Sequence, residues 1–218
     1  MWQAEEGNMR RLGLVLVAGV LLLVGGGQLC AASDAVPPKG CGTALLVIDV
    51  QNICVALSTP SELTTIDGVQ LVEKLVDVLA AARAAGIPIV YIQYVPSGYA
   101  IGDPYLATVS ALAPQPGDPI VWKTTPDSFE NTTLASVLNG IGAHRLLLTG
   151  QATDVCVIDT VRGAVRNGFE SWVIADAHAG LRNPAGLEYY NSLWPSLGAS
   201  VIESEKIDFA AYGCVTSP

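Results

Sequence analysis

Charge is scarce in this sequence, and positive charge is scarcest. Only 14% of the 218 residues are charged, and 11 basic residues stand against 20 acidic ones, so the formal net charge is −9. Nucleic acids and anionic membrane surfaces are bound through clustered Lys and Arg side chains. The composition therefore argues against both as partners.

Histidines are few, and the cysteines form no closely spaced pair. The only histidines are His144, which precedes a predicted strand and is expected to be exposed, and His178, which follows one. His178 either borders a pocket or is an ordinary loop histidine. A domain of this size folds without disulfides, so the pairing of Cys41, Cys54 and Cys214 stays open.

One long apolar run stands out near the N-terminus. Leu12–Val24 follows the basic Arg10 and Arg11 and precedes small residues that suit cleavage near Ala31 or Ala32. This pattern predicts a signal peptide over residues 1–32 and export to the periplasm or the medium. The alternative is an uncleaved membrane anchor, which would make the membrane a partner. Residues 33–43 are predicted to be a linker, and residues 44–218 a single domain.

Strand and helix patterns alternate along the remaining chain. Continuous apolar runs such as ALLVIDV are typical of strands buried on both faces. Strands are predicted at 44–50, 87–95, 144–150, 171–177 and 199–204, with a further short strand that begins at 120. Helices are predicted at 69–86, 131–142, 153–169 and 183–198. Such alternation predicts an α/β fold, with helices on both sides of a central, mainly parallel sheet.

Three chemically capable side chains fall at one predicted edge of this sheet. Asp49 ends the first strand, Lys123 ends the third, and Cys156 follows the fourth. Ligands of such folds bind beyond the carboxyl ends of the strands. Taken singly, Asp49 could cap a turn, Lys123 could reach solvent and Cys156 could be a buried filler. Their coincidence at one edge favours a catalytic site.

Cys156 lies within GQATDVCVIDTV, where a strand gives way to a helix. The free N–H groups and the dipole of a helix N-terminus lower the pKa of a thiol, so we expect a reactive thiolate. The same N–H groups are able to hold a developing oxyanion. A buried carboxylate could accept or shuttle the proton of the thiol.

The segments ALLVIDVQN, WKTTPDSFENTTL and LTGQATDVCVIDTVRGAVRNGFESWVIADA resemble the isochorismatase-like cysteine hydrolases. The resemblance spans Ala44 to about Glu203. It implies a three-layer α-β-α fold and a triad in which Cys156 is the nucleophile, Asp49 the general acid/base and Lys123 the activating cation. It also implies a cis peptide bond before Ala152, with the N–H groups of Ala152 and Cys156 forming an oxyanion hole.

Departures from the family pattern narrow the expected chemistry. The metal-binding members carry histidines after the second strand, and YIQYVPSGYAIGDPYL has none, so we expect neither a metal nor another cofactor. A cysteine at position 156 favours hydrolysis of an amide-like or ureido C–N bond of a small molecule through a thioester. The alternatives are enol-ether hydrolysis of an isochorismate-like substrate and a non-catalytic binding protein on the same fold.

Position along the sequence suggests a set of pocket walls. A long loop at 96–119 is expected to cover the site or to contact a neighbouring subunit, since homo-oligomers are usual in this family. The candidate substrate-binding residues are Cys54, Tyr94, Trp122, Phe129 and Val155. Ordinary core packing is the alternative role for each of these side chains.

Overall fold

The computed structural model describes residues 42–57, 68–180 and 186–213. They contain a sheet of six strands, all paired in parallel, in the order β3-β2-β1-β4-β5-β6. The two central strands, β1 and β4, are buried along their whole length. The strands are β1 Thr43–Ile48, β2 Ile89–Tyr94, β3 Ile120–Lys123, β4 Arg145–Gln151, β5 Glu170–Ala179 and β6 Ser200–Ile202.

Two apolar cores, one on each face of the sheet, hold the helices in place. The core on one face packs α3, α4 and α5 against Leu46 and Ile48 of β1. The core on the other face packs α2 and α6 against Leu45 and Val47 of the same strand. The three-layer α/β prediction is therefore confirmed. The helices are α1 Asn52–Leu57, α2 Gly68–Ala84, α3 Leu134–Gly140, α4 Ile158–Arg166, α5 Gly186–Leu193 and α6 Phe209–Tyr212.

Most differences from the predicted elements lie at their ends. The predicted helix 153–169 begins with a π-helical turn, Thr153–Val157, and α4 follows it from Ile158. The predicted strand at 171–177 continues to Ala179, so His178 lies within β5 and not beyond it. Its pairing with β4 shifts register between Leu148 and Gly150, and this irregularity absorbs the extra residues of β5. Helices α1 and α6 are too short to give a periodic signal.

The loop at 96–119 is hydrogen-bonded to the segment that follows β1. Gln51, which is fully buried, donates from its side-chain amide to the carbonyl of Leu106 at 2.7 Å and accepts from the Tyr94 N–H at 2.7 Å. Gln51 also pairs with Thr108 in an isolated antiparallel bridge. Two short 3₁₀ turns, Pro104–Leu106 and Ser110–Leu112, give the loop internal structure. The loop is thereby bound to the segment that directly follows Asp49.

Several predictions concern residues that the structure does not describe. The signal peptide and nearly all of the linker lie outside the described residues, as do Cys41 and Cys214. No helix among the described residues is long and apolar enough to span a bilayer. The domain boundaries therefore stay predictions.

Gly150 allows β4 to pass close to β1. Its φ is +115°, and a Cβ built on it would lie 2.1 Å from the carbonyl oxygen of Ile48. Because Ile48 and Gly150 are neighbours in the β1–β4 pairing, that clash would separate the two central strands next to Asp49. Glycine is required here by both conformation and space.

We expect Gly150→Ala to lower the free energy of unfolding by about 3 kcal/mol or more, because overpacking adds to the backbone penalty. Urea unfolding followed by circular dichroism measures this loss. Gly168→Ala is the matched control, because Gly168 also has a positive φ, +80°, but has nothing within 4 Å of its built Cβ. The control should lose only about 1–2 kcal/mol. Equal losses would contradict the proposed steric role.

Candidate active site

Asp49 follows β1 directly and occupies an unusual backbone conformation. Its φ is +52°, in the left-handed region that aspartate enters more readily than most residues. Its N–H donates to the carbonyl of Ile92 at 3.0 Å, and its carbonyl accepts from the side-chain amide of Gln151 at 3.2 Å. Neighbouring strands thus hold the turn that presents the carboxylate.

Lys123 reaches Asp49 from two strands away. Its Nζ lies 2.9 Å from Oδ2 of Asp49, and both side chains are almost completely buried. The ammonium donates to the carbonyl of Pro126 at 2.7 Å and lies 6.0 Å from the centre of the Tyr94 ring. The structure therefore brings two of the three predicted residues together as a buried ion pair.

Cys156 completes the cluster from the π-helical turn after β4. It is a free, half-buried thiol packed against the core that contains Ile48. Both Asp49 and Lys123 act on its pKa, and the thiol in turn affects theirs, which places it within reach of both charges. Three residues that are more than 30 positions apart in sequence thus meet at one edge of the sheet.

The ion pair leaves Asp49 able to accept a proton. Burial raises the pKa of the Asp49 carboxyl above its ordinary value, although Lys123 opposes the shift. Burial opposes the charge on Lys123, but the attraction and hydrogen bonds of Asp49 and Cys156 together outweigh it and raise the pKa of the ammonium. Hydrogen bonds from the side chains of Cys156 and Lys123 also oppose the rise in the pKa of Asp49. The carboxylate is therefore placed to take up the proton of the Cys156 thiol.

The expectation of a pre-formed thiolate at Cys156 is wrong. Burial, reinforced by the negative charge of Asp49, raises the pKa of the thiol to about 12, although Lys123 opposes the shift. Desolvation and a neighbouring carboxylate thus outweigh the helix terminus. The resting thiol is protonated at neutral pH, so a nucleophilic role requires that a base remove its proton during attack.

The backbone beside Cys156 has the form that the resemblance implies. The peptide bond between Gln151 and Ala152 is cis. Ala152 is buried, and its carbonyl accepts the N–H groups of Val155 and Val157 at 3.1 and 3.0 Å. These bonds fold the chain back so that Ala152 and Cys156 belong to one turn. The oxyanion hole itself stays a prediction.

Three of the candidate pocket residues lie close to the triad. Burial, with the charge of Asp49 adding to it, raises the pKa of the Cys54 thiol to about 12, which places Cys54 at the same cluster. Tyr94 lies against the ammonium of Lys123. Val155 precedes Cys156 and is 39% exposed, as a residue at the rim of a pocket would be. Their contacts with substrate stay predictions.

The side chains of the other two candidates, Trp122 and Phe129, point away from the triad. Trp122 and Lys123 are successive residues of β3, so their side chains leave opposite faces of the sheet. Phe129 packs against Phe169, with ring centres 5.6 Å apart, below α4. A cavity of about 370 Å³ beside Phe129 is lined by Asp127, Phe129, Glu130, Asp159, Arg166 and Asn167, none of which belongs to the triad.

The two histidines differ sharply in environment. His144 is exposed, as expected. His178 is fully buried and contacts Thr153 and Asn191, so the surface-loop interpretation is wrong. Burial lowers the pKa of its imidazole to about 4, which keeps the ring neutral. The described residues contain no group of three or more His, Cys, Asp or Glu side chains able to hold a metal ion.

Sequence reasoning missed the amides and hydroxyls that support the triad. Gln51 fastens the loop at 96–119, and Gln151 holds the Asp49 turn. Thr153 connects the π-helical turn to His178. Each is a polar residue next to a buried strand end, which was the one signal available. Their bonds join residues at least 25 positions apart, so no local pattern reveals them.

Comparisons with known proteins show the family of this chain. The family model of the isochorismatase domain matches residues 43–205. The ureidoacrylate amidohydrolase of Stutzerimonas stutzeri is 31% identical over 185 residues, which cover 69% of this chain and 75% of that protein. The corresponding enzyme of Methylobacterium radiotolerans is 31% identical over 191 residues, which cover 70% of this chain and 73% of that protein.

Solved structures share the fold. An isochorismatase family protein of Burkholderia thailandensis superposes with a TM-score of 0.69 at 26% identity, over 81% of this chain and 98% of that one. The N-carbamoylsarcosine amidase of Thermoplasma acidophilum superposes with a TM-score of 0.66 at 24% identity, over 77% of this chain and 99% of that one. From its sequence, fold and relatives together, this chain belongs to the isochorismatase family and is a hydrolase of that family.

Proposed function

We propose that this protein hydrolyses a C–N bond of a small amide-like or ureido compound through an acyl group on Cys156. The observation that carries the proposal is the meeting of Asp49, Lys123 and Cys156 in one buried cluster. The names of its amidohydrolase relatives favour C–N over enol-ether chemistry. Because those relatives are only 31% identical to it, we propose a class of substrate and no single compound.

The raised pKa of the Cys156 thiol determines how the first step begins. As sulfur attacks the carbonyl carbon of the substrate, Asp49 takes the thiol proton, because a free thiolate is too rare at neutral pH. A C–S bond forms, and the carbonyl π pair moves onto oxygen. The N–H groups of Ala152 and Cys156 hold that oxyanion in the proposed hole.

Asp49 uses the same proton when the tetrahedral intermediate collapses. The oxyanion re-forms the carbonyl, the C–N bond breaks, and Asp49 returns its proton to the departing nitrogen. Asp49 then removes a proton from water, which attacks the acyl group. When the C–S bond breaks, Asp49 returns this proton to the sulfur, so the acid is released and the neutral thiol is restored. Lys123 keeps its positive charge throughout, so the carboxylate is stabilised whenever it is ionised. Hydrolysis overall consumes one water per C–N bond.

The nucleophile is tested by supplying ureidoacrylate, N-carbamoylsarcosine and isochorismate to the protein and to Cys156→Ala. We expect turnover of a ureido compound, an acyl adduct on Cys156 by intact mass, and a loss of at least about 10³-fold in Cys156→Ala. Cys54→Ala is the comparison variant, expected to act mainly through KM and to keep the adduct. Cleavage of isochorismate alone, retained by Cys156→Ala, would establish the enol-ether alternative.

The role of Asp49 is tested by measuring two rates in Asp49→Asn: alkylation of the Cys156 thiol near neutral pH should become faster, and hydrolysis should become slower. In Asp49→Asn the negative charge that raises the thiol pKa is gone, so the midpoint of Cys156 alkylation by iodoacetamide should fall below about 12. Hydrolysis should nevertheless drop by at least about 100-fold, because the base is lost. In the parent enzyme, kcat/KM should decline at low pH as Asp49 becomes protonated, at a pH above the ordinary aspartate pKa of 3.8.

Asp208→Asn is the matched control for that experiment. Asp208 accepts the N–H of Ala211 at the start of α6, a bond that asparagine can also accept. Its alkylation profile and its turnover should equal those of the parent. An unchanged alkylation midpoint in Asp49→Asn would contradict the electrostatic contact between Asp49 and Cys156.

We also propose that the protein is exported and forms a homo-oligomer. The sequence pattern of residues 1–32 supports export, and the exposed apolar side chains of Tyr99, Ile101 and Tyr105 on the loop at 96–119 support self-association. Expression of the full chain, followed by fractionation and intact mass, should give a periplasmic or secreted protein that begins near residue 32. Sedimentation velocity should give more than one subunit. A full-length, cytoplasmic or monomeric product would contradict the respective proposal.

A further inference from the structure

The buried histidine of β5 is joined to the turn that carries Cys156. Nδ1 of His178 lies 2.9 Å from the hydroxyl of Thr153, and Nε2 lies 3.1 Å from Oδ1 of Asn191. Thr153 is the first residue of the π-helical turn and directly follows Ala152. His178 takes no part in the proposed proton transfers, although it is completely buried.

The partners of Asn191 determine which nitrogen of His178 carries the proton. The side-chain NH₂ of Asn191 donates to the carbonyl of Ala175 at 3.0 Å, and its Oδ1 accepts the indole N–H of Trp194 at 3.2 Å. A carbonyl only accepts and an indole N–H only donates, so the orientation of the amide is fixed. Oδ1 of Asn191 must then accept from Nε2–H of His178.

The direction of the remaining bond follows. The ring of His178 is neutral, and with the proton on Nε2 its Nδ1 has only a lone pair. The hydroxyl of Thr153 therefore donates to Nδ1. These hydrogen bonds thus form one chain in which each donor and each acceptor is determined. The chain runs through Trp194, Asn191, His178 and Thr153 and ends at the residue after Ala152.

The backbone around Ala152 is held from both sides. Before it, Gly150 and Gln151 of β4 pair with His178 and Ala179 of β5. After it, the carbonyl of Ala152 accepts two N–H groups of the turn. The side-chain bond of Thr153 ties the start of the turn to β5. Because Thr153 directly follows Ala152, a shift of Thr153 would also move the backbone that carries the Ala152 N–H.

We propose that His178 is a positioning residue that acts through Thr153 to orient the oxyanion-binding N–H groups of Ala152 and Cys156. This inference rests on the proposed thioester function, since an oxyanion hole matters only where a carbonyl is attacked. It assigns to the histidine neither proton transfer nor contact with substrate. Removing the bond should slow attack on a carbonyl without disabling the thiol.

Two reagents separate these effects without knowledge of the natural substrate. Acylation of Cys156 by p-nitrophenyl acetate passes through a tetrahedral oxyanion, whereas alkylation by iodoacetamide displaces iodide and forms none. Both rates are read for the Cys156 peptide by mass spectrometry, with Cys156→Ala as the blank. In Thr153→Val we expect acylation to slow by about 10- to 100-fold and alkylation to change by less than about threefold.

Matched variants distinguish positioning from simple loss of a buried hydrogen bond. Thr153→Ser keeps the hydroxyl and should restore acylation to within about threefold of the parent. Thr149→Val removes another buried hydroxyl, which donates to the carbonyl of Leu46 at 2.7 Å on the strand leading to the turn. It should lower the melting temperature as Thr153→Val does but leave both rates unchanged.

A double-mutant cycle tests whether Thr153 acts through His178. His178→Phe keeps a ring but removes Nδ1, and combining it with Thr153→Val should cost no more acylation than the more damaging single change. If His178→Phe does not fold, the comparison of Thr153→Val with Thr153→Ser decides alone. Equal losses of acylation and alkylation, or normal acylation in Thr153→Val, would overturn the inference. If Cys156 of the parent is not acylated at all, the proposed function fails instead.

Discussion

The buried ion pair between Asp49 and Lys123 is the interaction on which the site depends. Two opposite charges removed from water are tolerated only when they lie close together, and here Nζ and Oδ2 are 2.9 Å apart. Two features of the surrounding structure set this distance. The left-handed backbone of Asp49 aims the carboxylate, and the strand order β3-β2-β1 sets the span that the lysine side chain crosses. Loss of either charge would leave the other buried and uncompensated.

The pair also explains why a protonated thiol can serve as a nucleophile. Lys123 stabilises ionised Asp49, yet burial keeps the pKa of that carboxylate above the pKa of an exposed one. In the proposed mechanism the base, Asp49, is therefore ready while the nucleophile, Cys156, stays neutral between turnovers. A neutral thiol is much less prone to oxidation than a thiolate, which suits the oxidising surroundings that export would bring.

The sequence predicted the parts of the fold and site that leave a local trace. Continuous apolar runs showed buried parallel strands, and Asp49, Lys123 and Cys156 were visible because each follows such a run. The state of the thiol was missed, because the dipole argument is local whereas burial and the charge of Asp49 come from packing. The sequence pattern places His178 past a strand end, because the register shift that lengthens β5 leaves no mark in hydropathy. The position of Phe129 predicts a pocket wall; its ring packs against Phe169, and its contact with substrate stays a prediction.

The attachment of the loop at 96–119 has a consequence for how freely the surface of this fold can vary in sequence. Gln51 bonds to backbone groups at Tyr94, the end of β2, and at Leu106 in the loop, so these bonds do not depend on the side chains there. Asp49 and Lys123 lie buried at the sheet, while the side chains of Tyr99 and Ile101 between those two anchors are exposed. Substitutions at Tyr99 or Ile101 can thus reshape the protein's outer surface without disturbing the charges beneath. In such an arrangement recognition can evolve quickly while the catalytic chemistry is conserved.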